Sequence, residues 1–183
     1  MELELALRTR RSIRRYREKD IPDAEIMALL DLARHAPSSM NGQPCSFIVI
    51  KDAAVRGRLA DLKDECCPIE KRHFPATMIR SAPVVIVVCV DRLTGHDRII
   101  ENGVLAASQL MLAAHGRGLG SVFMTAYRSD EPRLLQGVRD LLAIPATVEP
   151  VVVLPLGYAD EVPAAKELKP LQSLVCYDRF TQV

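Results

Sequence analysis

Aromatic residues make up only 4% of this 183-residue chain, and tryptophan is absent. The interior must therefore be aliphatic and alanine-rich, within a hydrophobic content of 49%. A strong charge of one sign is missing too, since 24 Lys and Arg face 23 Asp and Glu, a net +1. Chains built to coat nucleic acid carry a large basic excess, so nucleic acid is not an expected partner. Long apolar runs are lacking, and a stretch such as Pro83 to Val90 is too short to span a bilayer. No Cys-x-x-Cys occurs, the Cys66-Cys67 pair is badly spaced for one ion, and His35, His73, His96 and His115 lie far apart. No metal site is expected. The five cysteines (Cys45, Cys66, Cys67, Cys89 and Cys176) are odd in number and scattered, and residues 1–20 lack an apolar signal core. The expected compartment is a reducing cytoplasm, and the length suits one domain.

Against that even background one stretch stands out. Five arginines fall between Arg8 and Tyr16, with Ser12 among them and no acid. Guanidinium forks and a hydroxyl are the donors expected around a phosphate, because the planar fork meets its oxygens two at a time. Alone, the stretch could equally be a solvated basic patch at the end of a first helix. The near-zero net charge favours a small phosphorylated ligand over a polyanion.

Further along, Glu2 to Thr9 reads as a short helix. A second starts at Ile21-Pro22-Asp23, with Asp23 a candidate N-cap, and stops before Pro37. Ser46 to Ile50 reads as a strand and Asp52 to Asp64 as a helix. Glu65 to Arg72 is expected to be a mobile excursion, followed by a short helix at Ala76 to Arg80. The β-branched run from Pro83 to Asp91 predicts a strand buried on both faces. Asp97 to Arg117 is the longest predicted helix, ended by Gly116 and Gly118. Because Val104 to Ala114 is apolar nearly all round, it is a central core element or half of a large interface. Gly120 to Ala126 reads as one strand, Asp130 to Leu142 as a helix, and Glu149 to Tyr158 as a strand with Pro150 and Pro155 near its ends or at an edge. Beyond Asp160 the chain is polar, then apolar again from Leu171 to Tyr177, which suits an arm wrapped around a second copy. The irregular alternation predicts an α+β fold: a mixed sheet covered by helices.

The loop Pro37-Ser38-Ser39-Met40-Asn41-Gly42-Gln43-Pro44 supplies hydroxyls, two carboxamides and a glycine, but no acid, base or activated nucleophile. It suits hydrogen bonding to a polar heterocycle, or simply a helix-to-strand connection with Asx- and Ser-turn chemistry.

Together, Arg10-Arg11-Ser12-Ile13-Arg14 and Pro37 to Pro44, one helix apart, resemble the flavin mononucleotide (FMN) signature of the nitroreductase family. The resemblance continues through Leu110-Met111-Leu112-Ala113-Ala114, Gly118-Leu119-Gly120-Ser121, Val138 to Pro145 and Leu154-Pro155-Leu156-Gly157-Tyr158. It closes on Lys166-Glu167-Leu168-Lys169-Pro170-Leu171, and so covers nearly the whole chain in order. It implies a mainly antiparallel central sheet flanked by helices in one domain, residues 1–183. It also implies a homodimer in which residues 160–183 are exchanged as a C-terminal arm. Arg10, Arg11, Ser12 and Arg14 would hold the phosphate and ribityl chain, helped by Lys166 and, because Leu168 occupies a position usually basic, by Lys169. Pro37, Ser38, Ser39, Asn41 and Gln43 would approach the ring from the other subunit, while Thr125 and Ala126 back it with main-chain groups. Cys45 stands where Trp is common and reads as a packed small residue. The implied activity passes hydride from NADH or NADPH through FMN to an electron-poor small molecule, a nitroaromatic or quinone, in a ping-pong cycle. No catalytic side chain is assigned. The alternatives are other flavin chemistry on this scaffold (reductive dehalogenation or flavin breakdown) and a non-enzymatic flavin-binding regulator.

Overall fold

The computed structural model describes residues 1–68, 70 and 75–180. Its centre is strand β2, Val84–Asp91, where successive side chains point to opposite faces and nearly every one is buried. Both faces are therefore apolar, which is why the run reads as unbroken in sequence. On one side β2 pairs antiparallel with β1, Cys45–Ile50, and on the other with β5, Val148–Gly157. Two short strands, β3 at Gly120–Ser121 and β4 at Met124–Thr125, continue from β5. A parallel bridge between Ser12 and Ser121 makes the otherwise antiparallel sheet mixed.

The expected single strand from Gly120 to Ala126 is thus broken, whereas Pro150 and Pro155 do fall near the two ends of β5, which is a central strand. The break has a local cause. Ser121 faces Leu156 and Met124 faces Val153, so the gap at Val122–Phe123 lies opposite Leu154–Pro155. Proline has no N–H to donate to a ladder. Pro150 is accommodated in the same way, beside a register slip at Val88/Cys89.

Helices cover both faces. On one, α2 (Asp23–Ala33) and α5 (Ile99–Gly116) pack Leu29, Ala106, Leu110 and Ala114 against Val84, Ile86, Val88 and Leu154. On the other, α3 (Ala53–Glu65), α4 (Thr77–Ser81) and α6 (Pro132–Leu142) bring Leu59, Ile79, Leu134 and Val138 onto Val85, Val87 and Val153. Asp23 opens α2 inside the helix, not as its N-cap, and its carboxylate pairs with Lys51 at 2.7 Å. Asp52 does cap α3, accepting from the Val55 N–H at 2.9 Å. Helix α5 is a core element, its inner face lying on the sheet, while Ile100, Val104 and Leu105 remain exposed on its outer face. Of the expected excursion, Cys66–Pro68 and Glu70 follow α3, and Ile69, Lys71 and Arg72 lie outside the described residues. Among the described residues no helix is long and apolar enough to cross a membrane.

Candidate functional site

The basic stretch follows α1, Leu3–Thr9, and runs along the end of the sheet. Its anchor is Ile13, whose N–H donates to the Ser121 carbonyl at 3.0 Å. Gly120 allows this approach, since a Cβ there would lie 2.6 Å from Ile13. Tyr16 is buried, and its hydroxyl donates to the Ile13 carbonyl at 2.6 Å. The chain leaving β5 closes the other side. Arg17 N–H donates to the Tyr158 carbonyl at 2.9 Å, Asp160 N–H to the Arg15 carbonyl at 2.9 Å, and the Arg14 and Arg15 N–H groups to the Glu161 carboxylate. The stretch is therefore clamped largely on main-chain atoms, with Arg15 also paired to Glu161 at 3.5 Å, which leaves the side chains of Arg10, Ser12 and Arg14 available.

Those side chains are short of partners. Arg11 donates to the carbonyls of Arg8 and Arg10 at 3.0 and 2.9 Å, yet its buried Nε has no acceptor among the described residues. Arg10 Nη1 is likewise buried and unmatched. Unpaired buried donors are uncommon in folded proteins and call for an acceptor. His115 stands beside them, 2.8 Å from the Thr9 hydroxyl, and burial plus the charges of Arg10 and Arg11 push its pKa down. A cavity of about 270 Å³ opens here between Arg11, His115, Gly118 and Glu161. Lys166 and Lys169 lie on exposed coil and make no hydrogen bond or ion pair among the described residues.

The Pro37–Pro44 loop forms a separate cluster. Met40, Asn41 and Gln43 take φ values of 50°, 53° and 47°, the left-handed region that costs most side chains about 1–2 kcal/mol each. Buried Asn102 of α5 holds the loop. Its carboxamide accepts from Ser39 N–H at 3.0 Å and donates to the Gly95 carbonyl at 3.0 Å. Ser38 Oγ accepts from Gln43 N–H at 3.1 Å. Gly42 presses against the 94–96 turn so closely that a Cβ would sit 2.1 Å from the Thr94 carbonyl. Pro37 lines an apolar groove of about 590 Å³ shared with Leu3, Leu32, Leu105 and Leu112. Cys45 packs below the loop, where burial pushes its thiol up to about 11, so it is neutral and unreactive at physiological pH.

Thr125 and Ala126 form the third group. Ala126 is fully buried and its N–H is taken by the Val151 carbonyl at 2.9 Å. The Thr125 carbonyl accepts from Lys63 Nζ at 2.7 Å. Beside them lies a cavity of about 620 Å³ bounded by Lys63, Cys66, Cys67, Met124, Tyr127 and Arg128. Lys63, Asn102 and Glu161 are contacts that sequence reasoning does not single out.

The chain as a whole has counterparts among known proteins. The Nitroreductase family model matches residues 7–158, and the chain belongs to that family. A Methanothermobacter thermautotrophicus protein named "Putative NADH dehydrogenase/NAD(P)H nitroreductase" is 32% identical over 172 residues, covering 92% of this chain and 83% of that protein. An iodotyrosine deiodinase of Thermotoga neapolitana is 28% identical over 171 residues, covering 83% of this chain and 86% of its own length. Among solved structures, an FMN-dependent nitroreductase of Clostridium difficile superposes with a TM-score of 0.81 at 26% identity, over 96% of this chain and 98% of that one.

Proposed function

We propose that this protein is an FMN-dependent oxidoreductase that passes hydride from NADH or NADPH to a small electron-poor acceptor, a nitroaromatic or a quinone, by a ping-pong cycle. The observation that carries the reading is the pair of buried, unmatched guanidinium atoms on Arg10 and Arg11, beside Ser12 on a main-chain clamp. A phosphate monoester supplies the acceptors that these donors lack, so the residues present fit the cofactor.

Bound there, the flavin ring would supply the hydride chemistry. The chain's own task is to bind and orient. Arg10, Arg11, Ser12 and Arg14 hold the phosphate and ribityl chain, with Lys166 and Lys169 adding charge from the arm. Thr125 and Ala126 back the ring by main-chain contact, and with the Ala126 N–H engaged by Val151 its share is packing. No general acid, base or nucleophile is assigned, which suits a protein whose role is position and electrostatics.

The site is completed by a second copy. Leu3, Leu5 and Leu7 of α1, Val104 and Leu105 of α5, and Leu171, Leu174, Tyr177 and Phe180 of the tail are exposed in the single chain. Monomeric proteins seldom leave so many large apolar side chains in water. A two-fold pair with exchanged arms, residues 160–183, buries it and brings the Pro37, Ser38, Ser39, Asn41 and Gln43 loop, which adjoins that groove, to the partner's ring. Each copy is one domain, and the compartment that suits its scattered cysteines, odd in number, is the cytoplasm. A second reading, reductive dehalogenation on the same cofactor, rests on the deiodinase relative.

Titration of the purified protein with FMN and with riboflavin, followed by flavin fluorescence, tests the proposal. Stoichiometric uptake of FMN with much weaker riboflavin binding supports it. Equal affinities, or no uptake of either, would contradict it. A panel of nitroaromatic, quinone and halotyrosine acceptors then separates the two activities.

A further inference from the structure

Lys63 has no part in the reading above, yet it touches the strand assigned to back the ring. It projects from α3, is half-buried, and donates to the Thr125 carbonyl at 2.7 Å. Among the described residues it forms no ion pair. The adjacent carboxylate, Asp64, is turned to the Ala76 N–H at 2.6 Å and to Arg80 at 3.4 Å. The other strong cation lining the same cavity, Arg128, is already matched by Asp130 and by the Cys66 carbonyl. Lys63 thus brings to the back of β4 a positive charge with no ion-pair partner among the described residues, although Asp64, Glu70 and Asp130 line the same cavity, and burial penalises it there. A neutral side chain could fill the space without that penalty, so the charge itself needs a role.

We propose that Lys63 is a positioning residue that tunes the flavin electrostatically through Thr125, favouring the reduced ring over the oxidised one. The inference rests on the reading that Thr125 backs the ring. Hydride carries two electrons and one proton, so its arrival on a neutral ring adds one negative charge, while the nicotinamide leaves with the matching positive charge. An ammonium one carbonyl group away favours the state that has gained negative charge. At the effective dielectric of a protein site, a unit charge at such range shifts an equilibrium by about tenfold or more. Charge placed near a flavin ring is one of the main means by which a protein sets its potential.

Two neutral variants and one charged variant test this on the FMN-loaded protein. Lys63→Gln keeps an N–H donor for the Thr125 carbonyl and removes the charge, Lys63→Met removes both, and Lys63→Arg keeps the charge. The readout is the two-electron midpoint potential from dye-coupled equilibrium reduction, with thermal unfolding measured alongside. Both neutral variants should weaken binding of reduced FMN relative to oxidised FMN by about tenfold, which lowers the potential by about 30 mV for a two-electron couple. Lys63→Arg should stay within about threefold of the parent ratio. A merely structural lysine would move the unfolding temperature and leave the potential at the parent value, and that result overturns the proposal. A parent protein that takes up no FMN overturns the cofactor reading and this inference together. Uptake of FMN with an unchanged potential in the glutamine variant overturns this inference alone.

Discussion

Asn102 holds Ser39. The carboxamide oxygen, buried against the start of α5, accepts the Ser39 N–H at 3.0 Å, and its amide nitrogen ties the same point to the Gly95 carbonyl. One side chain therefore sets the position of a loop in which three residues are left-handed. Asn102→Leu would strand two main-chain groups, at about 1–3 kcal/mol for each one left unsatisfied. We expect a destabilisation of about 2–4 kcal/mol in denaturant unfolding. The flavin spectrum should also change, because the loop carrying Asn41 and Gln43 loses its position. A variant with parent stability and spectrum would show that the loop holds itself.

Phosphate recognition is tested by charge removal. Arg10→Ala and Arg14→Ala should each weaken FMN by about 1.5–3 kcal/mol, roughly ten- to a hundredfold. Riboflavin, which lacks the phosphate, should lose little. Arg8 is the control, since it is exposed on α1 and pairs with Glu4 at 2.8 Å. Equal losses for FMN and riboflavin would remove the phosphate from this stretch.

Glu161 links that stretch to pH. Its carboxyl is held below the ordinary glutamate range, first by the Arg14 N–H, with the Arg15 N–H and both arginine charges adding to this while burial opposes. The folded pKa lies below the unfolded one, near about 4.3. Its stabilising contribution is therefore complete above that value and is lost as pH falls through the lower folded pKa. FMN affinity of the parent should fall in that acid window beyond what the cofactor's own titration explains. Glu161→Gln should bind FMN more weakly at neutral pH and show a flatter acid limb. Superimposable pH curves for the two proteins would contradict the clamp.

Much of this architecture is written plainly in the chain. The unbroken β-branched run from Val84 to Val90 admits little but a strand buried on both faces, and α5 declares itself by its length and small apolar residues. The donor clusters are legible because arginine forks and a Ser/Asn/Gln loop are unusual concentrations of one chemistry. The interruption between β3 and β4 is not legible, because its cause, Pro155, lies some thirty residues away on the facing strand. Glu161 reads as one more charge in a polar tail, since its partners are main-chain N–H groups that leave no mark in sequence. Lys63 is hidden likewise among the charged residues of α3, because a backbone carbonyl is its partner. Asn102 does leave a signal, a carboxamide beside an apolar helical run, but the sequence does not say which loop it holds.

Assembly makes a further test. If exposed α1, α5 and tail side chains meet across a two-fold axis, unfolding should depend on protein concentration, as for obligate dimers. Truncation before Leu171 should cost both dimer and bound flavin. Sedimentation of the full-length protein as a monomer that keeps stoichiometric FMN would contradict the shared site.

The most direct measurement is the visible spectrum of the purified, FMN-reconstituted protein before and after anaerobic addition of NADH or NADPH. The account predicts a bound flavin spectrum that at least one nicotinamide bleaches and that a nitroaromatic or quinone then restores. A protein that stays colourless after FMN is offered, or a bound flavin that neither nicotinamide bleaches, would contradict it.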